Sequence, residues 1–101
     1  MEKIKVLIAD DHGVVREGLM AMLQTIEIID VVGEAKHGMD AVEKTKRLLP
    51  DVILMDLRMP FMDGVEATRQ IKREFPHIGV IALTMDDEQQ HIFNLVRAGA
   101  T

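Results

Sequence analysis

The chain has 101 residues, 48% of them hydrophobic and 29% charged, with no cysteine and a formal net charge of −5. This length makes one domain near the lower limit for a two-sided α/β core, and the lack of cysteine excludes disulfides, thiolate metal sites and thiol chemistry. The acidic balance, with twelve scattered Lys and Arg, argues against direct nucleic-acid binding by this segment, since a grip on phosphates needs clustered cations.

The opening Met1-Glu2-Lys3-Ile4-Lys5 has no signal-peptide pattern, and no apolar stretch is long enough to cross a membrane, so a cytoplasmic location is expected. Four βα units follow. Strand Ile4–Ala9 precedes a helix from about Val14 to Gln24, with Val15, Gly18, Leu19, Met22 and Leu23 inward and Arg16, Glu17, Met20 and Gln24 outward. A short strand around Val31–Glu34 precedes a helix from about Met39 to Leu49, which Pro50 stops. Strand Val52–Asp56 leads through Met59-Pro60 to a helix from about Gly64 to Phe75, whose start Asp63-x-x-Glu66 resembles a capping box. Strand Val80–Leu83 is followed by Thr84 and a helix from about Asp87 to Ala98, with Asp86-x-x-Gln89 at its start. Strands alternating with helices of this length imply right-handed crossovers and a parallel sheet.

Asp10 and Asp11 end the first apolar run and Asp56 ends the third. In open α/β sheets the ligand crevice lies at the carboxyl ends of the strands, so neighbouring first and third strands would bring the three carboxylates into one pocket. Two ionised carboxylates about 4 Å apart repel by roughly 4 kcal/mol at an effective dielectric near 20. A proton or a cation must therefore join three of them. All-oxygen ligands suit a hard cation such as Mg²⁺, and a carboxylate beside Mg²⁺ is a candidate nucleophile toward phosphorus. Asp56 is the better nucleophile, because it stands alone while Asp10 and Asp11 are adjacent and suited to a metal. Thr84 is placed to donate to phosphoryl oxygens. Strand-end aspartates are also ordinary turn and cap residues. Capping accounts for Asp86 and Asp87, solvent exposure for His12, His37, His77 and His91, and gap-filling for the methionines, although Met59 and Met62 flank the site loop.

The stretches Val6-Leu7-Ile8-Ala9-Asp10-Asp11-His12, Val15-Arg16-Glu17-Gly18-Leu19, Val32-Gly33-Glu34-Ala35, Asp51 to Pro60 and Met62-Asp63-Gly64-Val65-Glu66-Ala67 closely resemble receiver domains of two-component response regulators. The Asp-Asp-His start and the closing Arg97-Ala98-Gly99-Ala100 resemble the NarL/FixJ class, whose receivers precede a LuxR-type DNA-binding domain. The resemblance spans residues 1–101 and implies a flavodoxin-like (CheY-like), doubly wound parallel sheet in strand order 2-1-3-4. It implies that Asp56 is the phosphoacceptor for a sensor histidine kinase, and that Asp10, Asp11, Asp56 and the main-chain carbonyl of Arg58 hold Mg²⁺. Thr84 becomes the switch hydroxyl. No turnover of an external substrate is expected. The family's fifth strand, with its lysine and aromatic, and its fifth helix are not in this sequence, nor is an output domain. Such a truncated receiver would expose the fourth strand as an edge, with a homodimer or strand-exchanged oligomer as the expected consequence. A non-phosphorylated interaction or dimerisation module is the alternative. An Mg²⁺-dependent phosphohydrolase is disfavoured, because Arg58 and not a carboxylate stands two residues beyond Asp56.

Overall fold

The computed structural model describes residues 2–59 and 62–83. Within them the elements are β1 (Ile4–Ala9), α1 (Gly13–Leu23), β2 (Ile29–Ala35), α2 (Gly38–Leu48), β3 (Val52–Asp56), α3 (Gly64–Glu74) and β4 (Gly79–Leu83). The strands form one sheet in the order β2-β1-β3-β4, with β1 parallel to β2 and β3, and β3 parallel to β4. The step from β1 to β2 runs one way along the sheet, and every later crossover runs the other way. Right-handed connections then set α1 on one face and α2 and α3 on the opposite face. This is the flavodoxin-like arrangement, and it makes β1 and β3 neighbours, with Ala9 beside Met55.

Side chains alternate across the sheet. Leu7 and Ala9 of β1, Ile53 and Met55 of β3 and Val80 of β4 share one face and pack with Ala41 of α2 and with Ala67 and Ile71 of α3. Burial of these aliphatic groups, at about 25 cal/mol per Å² of apolar surface, is the main favourable term holding the layers together. Met59 belongs to this core as a gap-filler, and Met62 packs against it half-buried. The α1 side is thinner. Val6 and Ile8 are buried, yet no residue of α1 is, and of its expected inward stripe Met22 is 61% exposed and Gly18 is also exposed. Among the described residues α1 packs mainly on β1 and β2, whereas α2 and α3 also pack on each other.

The helix boundaries follow local chemistry. Asp63 caps α3 by accepting the Glu66 N–H at 2.9 Å. The helix α2 ends at Leu48, and Leu49 turns into the left-handed region at φ 49°, ahead of Pro50. The strand β2 is longer than periodicity suggested, running Ile29–Ala35, because pairing with β1 extends it to Ile29 and Asp30 at one end and Ala35 at the other, across a register shift at Val6/Leu7. Gly64 starts α3 so close to the end of β3 that an added Cβ would lie 2.2 Å from the Asp56 carbonyl oxygen. No described helix is long and apolar enough to cross a membrane. The expected helix over 87–98 lies outside the described residues.

Candidate functional site

The carboxyl ends of β1 and β3 bring Asp10, Asp11 and Asp56 together. A ligand atom from each of these and from His12 lies within 4.8 Å of the others. Asp10 and Asp56 are nearly enclosed, at 2% and 7% exposure, whereas Asp11 stands at the mouth.

The two enclosed aspartates are held by one local device. Asp10 Oδ1 accepts the His12 N–H at 2.8 Å, and Asp56 Oδ1 accepts the Arg58 N–H at 3.1 Å. Each is an Asx-turn, a side chain bonding its own backbone two residues on, which stops the strand and fixes the carboxylate's direction. Turn formation and site formation are therefore the same act here. Gly64, whose N–H donates to the Leu57 carbonyl at 3.1 Å, lets the Asp56 turn pack directly under the start of α3.

Arg16 contributes from α1. Expected on the outer face, its side chain is only 14% exposed and folds toward the strand ends. There Nη1 donates to the Asp10 main-chain oxygen at 2.7 Å and Nε to Glu34 Oε1 at 3.3 Å. Lys44 of α2 donates to the Glu34 main-chain oxygen and pairs with Asp40 at 3.2 Å. The end of β1 is thus braced by Arg16 of α1 and the neighbouring end of β2 by Arg16 and by Lys44 of α2, which leaves the Asp10 carboxylate to the pocket.

Electrostatics mark Asp56. Burial pushes its carboxyl up to about 6; the Arg58 N–H works against this, while the Asp10 charge and a side-chain hydrogen bond with Asp11 add to it. Carboxylates this close share a proton unless a cation replaces it. The donor set fits a hard divalent cation, being three carboxylates on two adjacent strand ends, two of them pre-aimed by backbone bonds.

His12 is the residue that sequence reasoning missed. It is 62% exposed as expected, but it is not unpartnered: Nδ1 lies 3.1 Å from Asp10 Oδ1 and 3.0 Å from Asp11 Oδ1. The hydrogen bond to Asp10 and the charge of Asp11 raise its pKa above the ordinary histidine value. The available signal was its adjacency to two aspartates at a strand end, and reading it required the turn that folds the ring back. His37 also has a partner, its Nδ1 accepting the Asp40 N–H at 3.1 Å to cap α2. Thr84 lies outside the described residues.

Comparison with known proteins agrees with this geometry. The family model described as "Response regulator receiver domain" matches residues 6–101. The response regulator VraR of Staphylococcus saprophyticus is 51% identical over 96 residues, covering 95% of this chain and 46% of that protein. GacA of Pseudomonas syringae is 45% identical over 97 residues, covering 96% of this chain and 45% of that protein. The chain therefore spans about half the length of these curated relatives. Among solved structures, the receiver domain of NarL from Mycobacterium tuberculosis superposes with a TM-score of 0.91 at 37% identity, over 99% of this chain and 81% of that one. The response regulator domain of CheB from Thermotoga maritima gives 0.92 at 35% identity, over 99% and 75%. With its fold, its family match and its relatives in accord, this chain belongs to the response regulator receiver domains.

Proposed function

We propose that this receiver domain, spanning residues 1–101, accepts a phosphoryl group on Asp56 from a phosphohistidine of a sensor kinase, with Mg²⁺ bound by Asp10, Asp11, Asp56 and the main-chain carbonyl of Arg58. The observation that carries this reading is the convergence of three carboxylates at the ends of β1 and β3, with Asp56 nearly enclosed and alone on its strand. Mg²⁺, when bound, offsets the negative charge of carboxylates and phosphoryl oxygens.

The chain's own residues do the rest. The Arg58 N–H holds Asp56 Oδ1 and so orients the carboxylate. Attack of an Asp56 oxygen on phosphorus forms the P–O bond as the P–N bond to the donor imidazole breaks, and the imidazole takes up a proton. Asp10 is tied by the His12 N–H and, through its carbonyl, by Arg16, so it contributes charge without swinging away. Thr84, the next residue in sequence after Leu83, is assigned the switch hydroxyl. The product is a modified domain, and external substrates are not turned over. Control of a DNA-binding output domain completes the proposal, in line with relatives described as a transcriptional regulatory protein (YhcZ of Bacillus subtilis) and as RcsB bound to a promoter.

The test is intact-mass measurement after incubation with phosphoramidate or acetyl phosphate and Mg²⁺. Wild type should gain one phosphoryl group and Asp56→Asn none. An adduct that persists in Asp56→Asn would overturn the assignment, and steady phosphate release with turnover would favour a hydrolase.

A further inference from the structure

The acceptor mechanism works with the carboxylates of the pocket and leaves a largely buried cation beside them, Arg16, with no function beyond bracing. We infer that Arg16 is a positioning residue that sets the Mg²⁺ affinity of the pocket through the Asp10 main-chain carbonyl, and that Glu34 acts through Arg16 by holding the guanidinium in its plane. The inference rests on the reading of the pocket as a cation site and goes beyond it, to two residues outside the ligand set.

The geometry starts from where the sheet stops. The last paired residue of β1 is Ala9, opposite Ala35 on one side and Met55 on the other, so the Asp10 carbonyl stands beyond the ladder. Asp10 is almost fully buried, and an enclosed carbonyl without a partner is costly. Arg16 Nη1 supplies that partner at 2.7 Å, in a charge-assisted bond. The rest of Asp10 is held as well: its N–H donates to the Ala35 carbonyl at 3.0 Å, and its Oδ1 accepts the His12 N–H at 2.8 Å. None of these bonds engages Oδ2. Of the three, the Arg16 bond is the one that a side chain makes, so it can be removed without altering the backbone.

Glu34 gives the brace its direction. Arg16 Nε donates to Glu34 Oε1 at 3.3 Å, so one planar group spans the ends of β1 and β2. Two acceptors on two strands fix the plane of a guanidinium, which the point charge of an ammonium could not exploit. The Arg16 side chain is 14% exposed and that of Glu34 39%, so solvent weakens the Glu34 bond more than the one to Asp10. Groups that orient metal ligands from outside tune metal affinity by about 10- to 100-fold. Charge alone predicts the opposite sign. A positive group beside a cation site repels the cation, so its removal would tighten Mg²⁺ binding, whereas loss of a positioning contact weakens it.

The experiment is an NMR titration of the protein with MgCl₂ at neutral pH, followed on backbone amide resonances, for wild type, Arg16→Met, Glu34→Ala and the double variant. Phosphoryl uptake from phosphoramidate is measured across the same Mg²⁺ series. Methionine keeps much of the apolar stem of arginine, and the amide spectrum shows whether each variant is folded. The Mg²⁺ dissociation constant should rise about tenfold in Arg16→Met, the scale for groups supporting metal ligands. It should rise about threefold in Glu34→Ala, the scale of a partly exposed ion pair. The double variant should match Arg16→Met, because Glu34 acts through Arg16. The Mg²⁺ concentration for half-maximal uptake should rise by the same factors, and excess Mg²⁺ should recover most of the lost uptake. An unchanged dissociation constant in Arg16→Met would make Arg16 a purely structural brace and overturn the inference. A tighter one would make it a counter-charge and overturn it too. Additive effects in the double variant would overturn the role given to Glu34. If Arg16→Met does not fold, Glu34→Ala decides alone, weaker Mg²⁺ binding supporting the inference and unchanged binding overturning it. Absence of Mg²⁺ binding in wild type would instead sink the cation-site reading, and this inference with it.

Discussion

Asp56 and Asp40 both sit at element ends, and their protonation is pushed in opposite directions. Burial raises Asp56 to about 6, with the charge of Asp10 and the nearby Asp11 adding to it. Burial also acts to raise Asp40, but the Lys36 N–H at 3.2 Å, Lys44 at 3.2 Å and His37 outweigh it and hold that carboxyl below its usual range. The start of α2 supplies donors and a cation, as a structural aspartate requires. The ends of β1 and β3 supply further carboxylates, a cost the fold tolerates only where a ligand later offsets it. The contrast separates an aspartate that builds the fold from one that the fold is built to use.

Substitutions test this contrast from the largest effect to the smallest. Gly64→Val should destabilise on the order of 3 kcal/mol in urea unfolding, because the new Cβ cannot sit 2.2 Å from the Asp56 carbonyl oxygen. A neutral outcome would show that β3 and α3 are less tightly joined than the Asp56 turn requires.

Asp56→Asn should stabilise the apo protein at pH 7 by about 1–2 kcal/mol, less than the full shift implies because solvent at the pocket mouth screens part of the repulsion. The sign follows from linkage: a carboxyl whose folded value is raised binds more protons folded than unfolded between about 4 and about 6. Apo wild type should therefore lose stability as pH rises through that window and level off above it, while Asp56→Asn shows no such slope. Equal slopes would mean that the pocket carboxylates do not repel one another.

Asp63→Ala removes the acceptor of the Glu66 N–H and should cost about 1 kcal/mol with phosphoryl uptake unchanged. Asp40→Asn should cost about 0.5 kcal/mol at neutral pH, the usual scale for a partly exposed charge near a helix start. With a lowered folded value, the contribution of Asp40 is present above the ordinary aspartate range and lost as pH falls through and below it, the reverse of Asp56. The difference between the variant and wild type should vanish in acid.

Much of this was legible in the residues. The strands β1, β3 and β4 and the three helices fall within a residue or two of where apolar spacing and the Asp63 and Pro50 signals put them. The carboxylate trio was legible because three aspartates close two apolar runs that a parallel sheet can set side by side, although spacing alone does not separate them from ordinary turn aspartates. What escaped depends on partners distant in sequence. Arg16 has helical spacing for an outer face, but only the fold shows that the Asp10 carbonyl and Glu34 lie within its reach. His12 and His37 read as solvated because a ring's partners depend on how the adjoining turn folds it back. The stripe of α1 is amphipathic in sequence, yet periodicity says which side is apolar and not how much of the sheet will cover it.

The central claim is that Asp56, among the clustered carboxylates, is the one that takes the phosphoryl group. The direct measurement is borohydride reduction after phosphoramidate and Mg²⁺ treatment, followed by peptide mass spectrometry, because an acyl phosphate is reduced to homoserine where it formed. The account predicts homoserine at position 56 and at no other position, dependent on Mg²⁺. Homoserine at position 10 or 11, or phosphate retained on His12, would contradict it.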